Sequence, residues 1–362
     1  MARGARKTRR LCLSGMGLGE TCNVNQETLH FEAAINPYGC SPQVVEALAA
    51  FARTKEFRSY GEPTALHLRE ELAALHGLLP DNFVVYNGAG EALAWLFVFN
   101  LLMRRGRLLV PYPSYERFVE AGKRCASEVI EVPLDESDFA LRVEALIEEG
   151  TRRRASLGLI SSPNNPTGNS LLDEASLARL LDEMPECLWI VDEAYADYTG
   201  RSFAPWVRER PNLVVLRTFS KAYGLAGLRI GCAVAHTSVA DELSGSRLPW
   251  SVNSMSLVAA LAALRDQHYL KETVARIQTD CAELNSALKQ VPHTRVYPSD
   301  ANFFLVRLDG IDAARLKAHL AARGMHVRSR PDMPSHIRIT SLRPEDNRRL
   351  LAALTDYVER EG

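Results

Sequence analysis

The sequence predicts an α/β protein, with a mostly parallel sheet over residues 36–250 and a smaller α+β unit over residues 251–362. Three observations carry that prediction. Short β-rich runs between Pro42 and His236 are apolar at successive positions instead of alternating, as strands covered on both faces are. Amphipathic stretches of helical period separate them, the signature of crossover helices. After Ser254 the pattern changes to long helical segments followed by a strand, a helix, two strands and a helix.

In chain order, the expected strands of the first unit are Phe83–Tyr86, Leu108–Pro111, Leu157–Ser161, Leu188–Val191, Leu213–Leu216 and Arg229–Ala235. Helical stretches fall at Thr64–Leu78, Glu91–Met103, Tyr115–Cys125 and Glu174–Glu183. The second unit opens on Leu257–Leu288, largely helical with a break near Asp266–His268. Strand Asn302–Val306, helix Ala313–Arg323, strands Met325–Arg328 and Ile337–Thr340, and helix Glu345–Tyr357 follow. Residues 1–35 fit neither unit and read as an arm. No low-complexity linker separates the units, so they are expected to pack together and share a cleft.

Composition excludes several classes of function. The net charge is −1, from 43 Lys and Arg against 44 Asp and Glu, which provides no basic footprint for nucleic acid. The longest apolar stretch, Ala92 to Met103, is interrupted by Asn100 and is too short to span a bilayer. Seven cysteines, at 12, 22, 40, 125, 187, 232 and 281, include no C-x-x-C pair. They read as cytoplasmic thiols and not as a disulfide framework. No H-E-x-x-H or Cys/His cluster suggests a metal. The basic residues Arg3, Arg6, Lys7, Arg9 and Arg10 read as a solvated tail. Gly15-Met-Gly17-Leu-Gly19-Glu20 mimics a dinucleotide loop but has Glu where that motif needs its last glycine.

The chemistry-bearing residues gather at predicted strand ends, where open α/β sheets bind ligands. Thr218-Phe-Ser-Lys221-Ala-Tyr-Gly-Leu-Ala-Gly-Leu-Arg229 follows the strand at Leu213. A lone lysine in a polar loop is ordinarily a solvated surface residue. Here two hydroxyls and an arginine surround it, a set suited to a phosphate beside an amine that can form an imine. Ser162-Pro-Asn-Asn165-Pro-Thr-Gly168 is a turn under any reading, and Asn165 could present its amide to a ligand. Asp192 ends a buried strand in Trp189-Ile-Val-Asp192-Glu-Ala-Tyr195. It is either a helix cap or a carboxylate set against a pyridine nitrogen, with the hydroxyl of Tyr195 toward the same ring. Asn87-Gly-Ala89-Gly90-Glu91 joins strand to helix, where free amides and the helix dipole favour an anion. Tyr115 could stack on a flat ring or simply pack in the core.

Taken in order, these segments, with Asn36-Pro-Tyr-Gly and Ala301-Asn-Phe, resemble the fold-type-I pyridoxal-phosphate aminotransferases, and within them the histidinol-phosphate aminotransferase branch. The resemblance covers nearly the whole chain from Ile35. It implies a large domain with a mostly parallel seven-stranded sheet, a smaller C-terminal domain, and pyridoxal 5′-phosphate as cofactor. It implies Lys221 as the Schiff-base lysine and proton carrier, Asp192 on the pyridine nitrogen, and Asn165 and Tyr195 on the ring oxygen. Tyr115 would stack on the ring, and Ala89, Gly90, Thr218, Ser220 and Arg229 would hold the phosphate. Tyr60, in Ser59-Tyr-Gly-Glu-Pro, matches a tyrosine that reaches the neighbouring subunit's cofactor, so a homodimer is implied. Arg338 and Arg328 match arginines that bind substrate carboxylate or phosphate, and Asn36 and Tyr38 join them as expected substrate contacts.

Three features depart from that branch, and two others pull toward a related chemistry. Ala34-Ile-Asn36-Pro37 stands where histidinol-phosphate enzymes usually carry Asn-Glu-Asn-Pro, Gly90 replaces a frequent Asp, and the arm contains no tyrosine. Ile35-Asn-Pro and Pro249-Trp-Ser-Val-Asn resemble threonine-phosphate decarboxylases of cobalamin synthesis. The expected activity is therefore transfer of an amino group between an amino donor and a 2-oxo acid. Decarboxylation of an O-phosphorylated amino acid, another specialised biosynthetic enzyme on this fold, and a cofactor-free binding protein follow in that order.

Overall fold

The computed structural model describes residues 28–361. The basic residues 3–10, the glycine cluster at 15–19, and Cys12 and Cys22 lie outside them. A seven-stranded sheet forms the centre, in the order Phe83–Tyr86, Gly231–Ala235, Leu213–Thr218, Leu188–Asp192, Leu157–Ser161, Arg107–Tyr112, Glu128–Pro133. All neighbours run parallel except Gly231–Ala235, which is antiparallel to both strands beside it. Leu157–Ser161 is buried at every position, because helices cover both faces of the sheet and leave no side for polar residues.

The sequence reading missed the edge strand Glu128–Pro133 and the helix Val143–Arg152. That strand alternates buried and open positions, with Glu131 outward, so its apolar run is broken. The last strand of the large sheet begins later than the expected Arg229–Ala235. Arg229 sits in the left-handed region at φ 51°, closing the short turn Ala226–Leu228, and extended backbone begins only at Gly231.

The C-terminal unit is a four-stranded antiparallel sheet, Arg328–Arg330, Met333–Thr340, Phe303–Leu308 and Thr294–Val296, backed by helices Ala313–Ala321 and Pro344–Glu361. The expected strand Met325–Arg328 is two strands. Met325–His326 pairs in parallel with Leu29–His30, and only Arg328–Arg330 joins the four-stranded sheet.

The hydrophobic clusters cut across the boundaries expected at residues 35 and 250. Leu29 and Phe31 belong to the C-terminal cluster, with Leu316 and Ile339. Burying a side chain such as Phe31 contributes about 1.5–3 kcal/mol, which holds this segment against the small sheet. Conversely, Leu257, Ala260 and Leu264 of helix Ser254–Arg265 pack into the large cluster with Val44 and Val252. The helical break falls at Asp266, whose carboxylate caps the next helix by accepting from the amide of Tyr269. That helix, Gln267–Leu288, carries the chain across to the C-terminal unit. The strand Leu29–His30 therefore leads residues 32–36 along the seam between the two units.

Candidate active site

Three parallel strands deliver the central residues to one edge of the sheet. Asp192 ends Leu188–Asp192 directly opposite Ser161 on one side and Leu216 on the other. The turn bearing Asn165 leaves the strand beside it, and Lys221 follows Leu213–Thr218 by three residues. The ends of these strands open onto a cavity of 510 Å³. Ala89, Gly90, Tyr115, Asn165, Asp192, Tyr195, Thr218, Ser220, Lys221, Arg229, Arg328 and Arg338 all line it.

Asp192 is 7% exposed and sits at the floor. Its carboxylate accepts from Ser161 Oγ and from the amide of Ala194, each at 3.2 Å. Burial pushes its pKa up to about 6, and these two hydrogen bonds and the nearby Lys221 only partly offset that rise. A carboxylate held this way suits a protonated heterocyclic nitrogen, which would return the charge partner that burial removes. Lys221 Nζ donates to the carbonyl of Ala33 at 3.3 Å and lies 5.4 Å from the ring centroid of Tyr195. Tyr195 is fixed in turn by an edge contact with Phe303 at 5.1 Å.

At the other end, helix Ala89–Phe97 starts without a side-chain cap, so its first amides have no intrahelical partner. Gly88 precedes it at φ +85°, and a Cβ there would come within 2.7 Å of Arg229 Nη2. Only glycine lets the guanidinium lie against the helix start. Arg229 Nη1 also donates to the carbonyl of Ala226 at 3.0 Å and to Ser220 Oγ at 3.4 Å. Ser220 is drawn in by its own amide, which donates to Thr218 Oγ1. Amides, hydroxyls and a guanidinium thus converge as a phosphate cradle needs. Cradle, buried carboxylate and lysine together fit a phosphorylated pyridine aldehyde.

The opposite wall comes from the small sheet. Arg328 and Arg338 are cross-strand partners and so share one face of the sheet. Arg338 is 7% exposed; its Nη1 donates to Asn165 Oδ1 at 2.8 Å and its Nη2 to the carbonyl of Glu32. Burial pulls its pKa down, with Tyr195 opposing. Arg328 is joined to Glu116.

Three expected residues lie elsewhere. Asn36 is buried, but its amide donates to the carbonyl of Ala222 at 2.7 Å and its oxygen accepts from the amide of Tyr38. It braces the lysine loop from behind and does not line the cavity, which corrects its expected substrate contact. Tyr38 is likewise corrected. Its hydroxyl donates to Asp280 Oδ2 at 2.5 Å, and its ring lies under Arg276 at 4.1 Å. Tyr60 is 84% exposed, its ring 5.2 Å from that of Trp250.

Sequence reasoning missed Glu32, Ala33, Glu116, Phe118 and Arg330, which also line the cavity. Arg330 was within reach, since it lies two residues beyond Arg328 on a strand. Its guanidinium is bidentate on Asp332, at 2.9 and 2.6 Å, and holds the carbonyl of Ser114. No local signal marks Glu32.

Known proteins resemble this chain in sequence and fold. The family model for aminotransferase class I and II matches residues 27–354. The chain belongs to that family. The aminotransferase is 38% identical over 341 residues to the histidinol-phosphate aminotransferase of Roseiflexus castenholzii, covering 92% of this chain and 90% of that one. Its fold matches the crystal structure of the histidinol-phosphate aminotransferase from Clostridium acetobutylicum with a TM-score of 0.83 at 23% identity, over 91% and 99% of the two chains. It also matches L-threonine-O-3-phosphate decarboxylase from Porphyromonas gingivalis, with a TM-score of 0.79 at 27% identity over 91% and 99%. The aminotransferase has the fold-type-I architecture and uses pyridoxal 5′-phosphate.

Proposed function

We propose that this transaminase takes the amino group of histidinol phosphate, or of a closely similar anionic amino donor, and passes it to a 2-oxo acid. The observation that carries the reading is Arg338, a buried guanidinium whose hydrogen-bond partners are both neutral, set across the cavity from Asp192 and Lys221. In such a place an anion gains more from a guanidinium than it would in water.

The bound cofactor supplies the electron sink that makes the donor's Cα–H bond acidic. Asp192 would keep the ring nitrogen protonated. Arg229, Ser220, Thr218 and the amides of Ala89 and Gly90 would hold the phosphate, and Tyr115 would lie on the ring. Asn165 and Tyr195 would hydrogen-bond the ring oxygen. Lys221 Nζ would remove the proton from Cα and redeliver it on the cofactor side. Arg338 and Arg328 would fix the donor's anion and so choose which bond at Cα stands ready to break.

Exposed Tyr60 and Trp250, with Phe57 nearby in sequence, support a homodimer in which Tyr60 reaches the partner's cavity. The near-neutral charge supports a small-molecule substrate over nucleic acid, and the scattered cysteines without a C-x-x-C pair support the cytoplasm. No helix among the described residues is long and apolar enough to cross a membrane.

A second reading, decarboxylation of an O-phosphorylated amino acid, draws on Ile35-Asn-Pro, Pro249-Trp-Ser-Val-Asn and the similarity to the P. gingivalis enzyme. One experiment separates the two: following the cofactor's spectrum with glutamate, histidinol phosphate, threonine phosphate, arginine and aromatic amino acids. Conversion to the pyridoxamine form, reversed by a 2-oxo acid, is the expected result. Carbon dioxide release from threonine phosphate without that conversion would overturn it.

A further inference from the structure

Arg328, Arg330 and Arg338 line the cavity together with Glu116, and their charges are engaged unequally. Arg330 is bidentate on Asp332 and holds the carbonyl of Ser114, so its guanidinium is committed to the protein. Arg338 donates to neutral oxygens of Asn165 and Glu32. Arg328 differs from both. Its side chain is 40% exposed, and its sole ion-pair partner among the described residues is Glu116, itself 23% exposed.

Glu116 is held independently of Arg328. It opens helix Glu116–Cys125, where free amides and the helix dipole favour a carboxylate. Its other oxygen, Oε2, lies 3.7 Å from Arg330 Nη1. If Arg328 turns to a ligand, Glu116 keeps a helix start and a second cation beside it, and its charge is not stranded. Arg328 is also the register partner of Arg338, so the two side chains leave neighbouring positions on one face of the sheet. A partly exposed ion pair contributes little, so exchanging Glu116 for a ligand anion at Arg328 costs little.

We propose that Glu116 is a specificity-determining residue, the resident counter-charge that Arg328 gives up only to a ligand bringing a second negative charge. A singly charged ligand takes Arg338 and leaves the pair between Arg328 and Glu116 closed. A second carboxylate, or the second charge of a phosphate monoester, competes with Glu116 for Arg328 and opens the pair. Glu116 thereby sets how strongly the cavity prefers doubly over singly charged anions. This deepens the transaminase reading and rests on its placement of the donor's anion at Arg338.

The test uses three unreactive probes on the holoenzyme: valerate, glutarate and butyl phosphate. Valerate carries one charge, glutarate two on separate carboxylates, and butyl phosphate two on one group at pH 8. Calorimetry should show that Glu116→Gln tightens glutarate, butyl phosphate or both about fivefold, the upper worth of an exposed ion pair. Which of the two gains tells a second carboxylate from a phosphate. Valerate should shift less than about twofold, which also shows that the variant folds. With Arg328→Gln in the background, Glu116→Gln should give no gain, since the cycle then lacks the pair it measures. Equal gains for all three probes would overturn the proposal, because Glu116 would then act through the net charge of the cavity. No gain for either doubly charged probe, or a gain that survives Arg328→Gln, would overturn it as well. No probe has an amino group to transfer, so these outcomes stand apart from failure of the transamination assay.

Discussion

Arg338 Nη1 donates to the side-chain oxygen of Asn165 at 2.8 Å, tying the small sheet to the turn that leaves the central sheet. With its oxygen engaged by Arg338, Asn165 would offer its NH₂ group to a cofactor ring, the donor a ring oxygen needs. On the proposed reading, one guanidinium would both orient a cofactor contact and receive the substrate's anion.

Arg338→Ala should consequently raise KM for anionic donors about 30-fold or more, as loss of a charge partner at about 2 kcal/mol implies. Arg338→Lys should recover little of it, since an ammonium cannot span Asn165 and an anion as a planar fork does. Steady-state kinetics over the donor panel checks both. An unchanged KM would place the anion elsewhere.

Lys221→Ala should reduce turnover by about 10⁴-fold, the upper range for loss of a positioned proton carrier, and remove the visible absorbance of the lysine-linked cofactor. Absorbance spectra and single-turnover assays report the two effects separately. Normal turnover in this variant would refute the assignment.

Asp192→Asn should change how cofactor-free stability depends on pH. The Asp192 carboxyl titrates near 6 when folded, against 3.8 for an unperturbed carboxyl, so folding takes up a proton between those values. Its favourable contribution is complete below 3.8 and is lost as pH rises through 6. Asparagine cannot ionise. The variant should therefore match wild type in acid and exceed it above pH 6 by up to about 3 kcal/mol. Denaturant titrations at pH 4 and pH 8 measure that difference. In the presence of cofactor the order should reverse, because asparagine cannot hold the ring nitrogen protonated.

Gly88→Ala should weaken cofactor retention. The new methyl would meet Arg229 Nη2 at 2.7 Å, at a φ of +85° that alanine adopts poorly. Dialysis followed by absorbance measures retention, and wild-type retention would mean that Arg229 can move without loss.

Tyr60→Phe should loosen the cofactor without lowering the melting temperature of the cofactor-free protein, because the side chain is 84% exposed within its own chain. The loss should track dimer formation in sedimentation runs. Unaltered affinity would count against Tyr60 crossing an interface.

Much of this protein is written locally. Strands buried on both faces must be largely apolar, so Leu157–Ser161, Leu188–Val191 and Leu213–Leu216 are legible as contiguous runs, and the polar residues just past them, Asn165, Asp192 and Lys221, stand out by contrast. The edge strand Glu128–Pro133 was not legible, because half its side chains face outward. Asn36 and Tyr38 lie beside the site in sequence logic but spend their hydrogen bonds on Ala222 and Asp280. Tertiary structure alone decided how the wall opposite the central sheet is assembled. Leu29–His30 pairs with a strand nearly 300 residues away, which brings Glu32 and Ala33 to Arg338 and Lys221. The register between Arg328–Arg330 and Met333–Thr340 sets Arg328 opposite Arg338. Such contacts depend on long-range register and burial, which leave no periodic trace in the residues that make them.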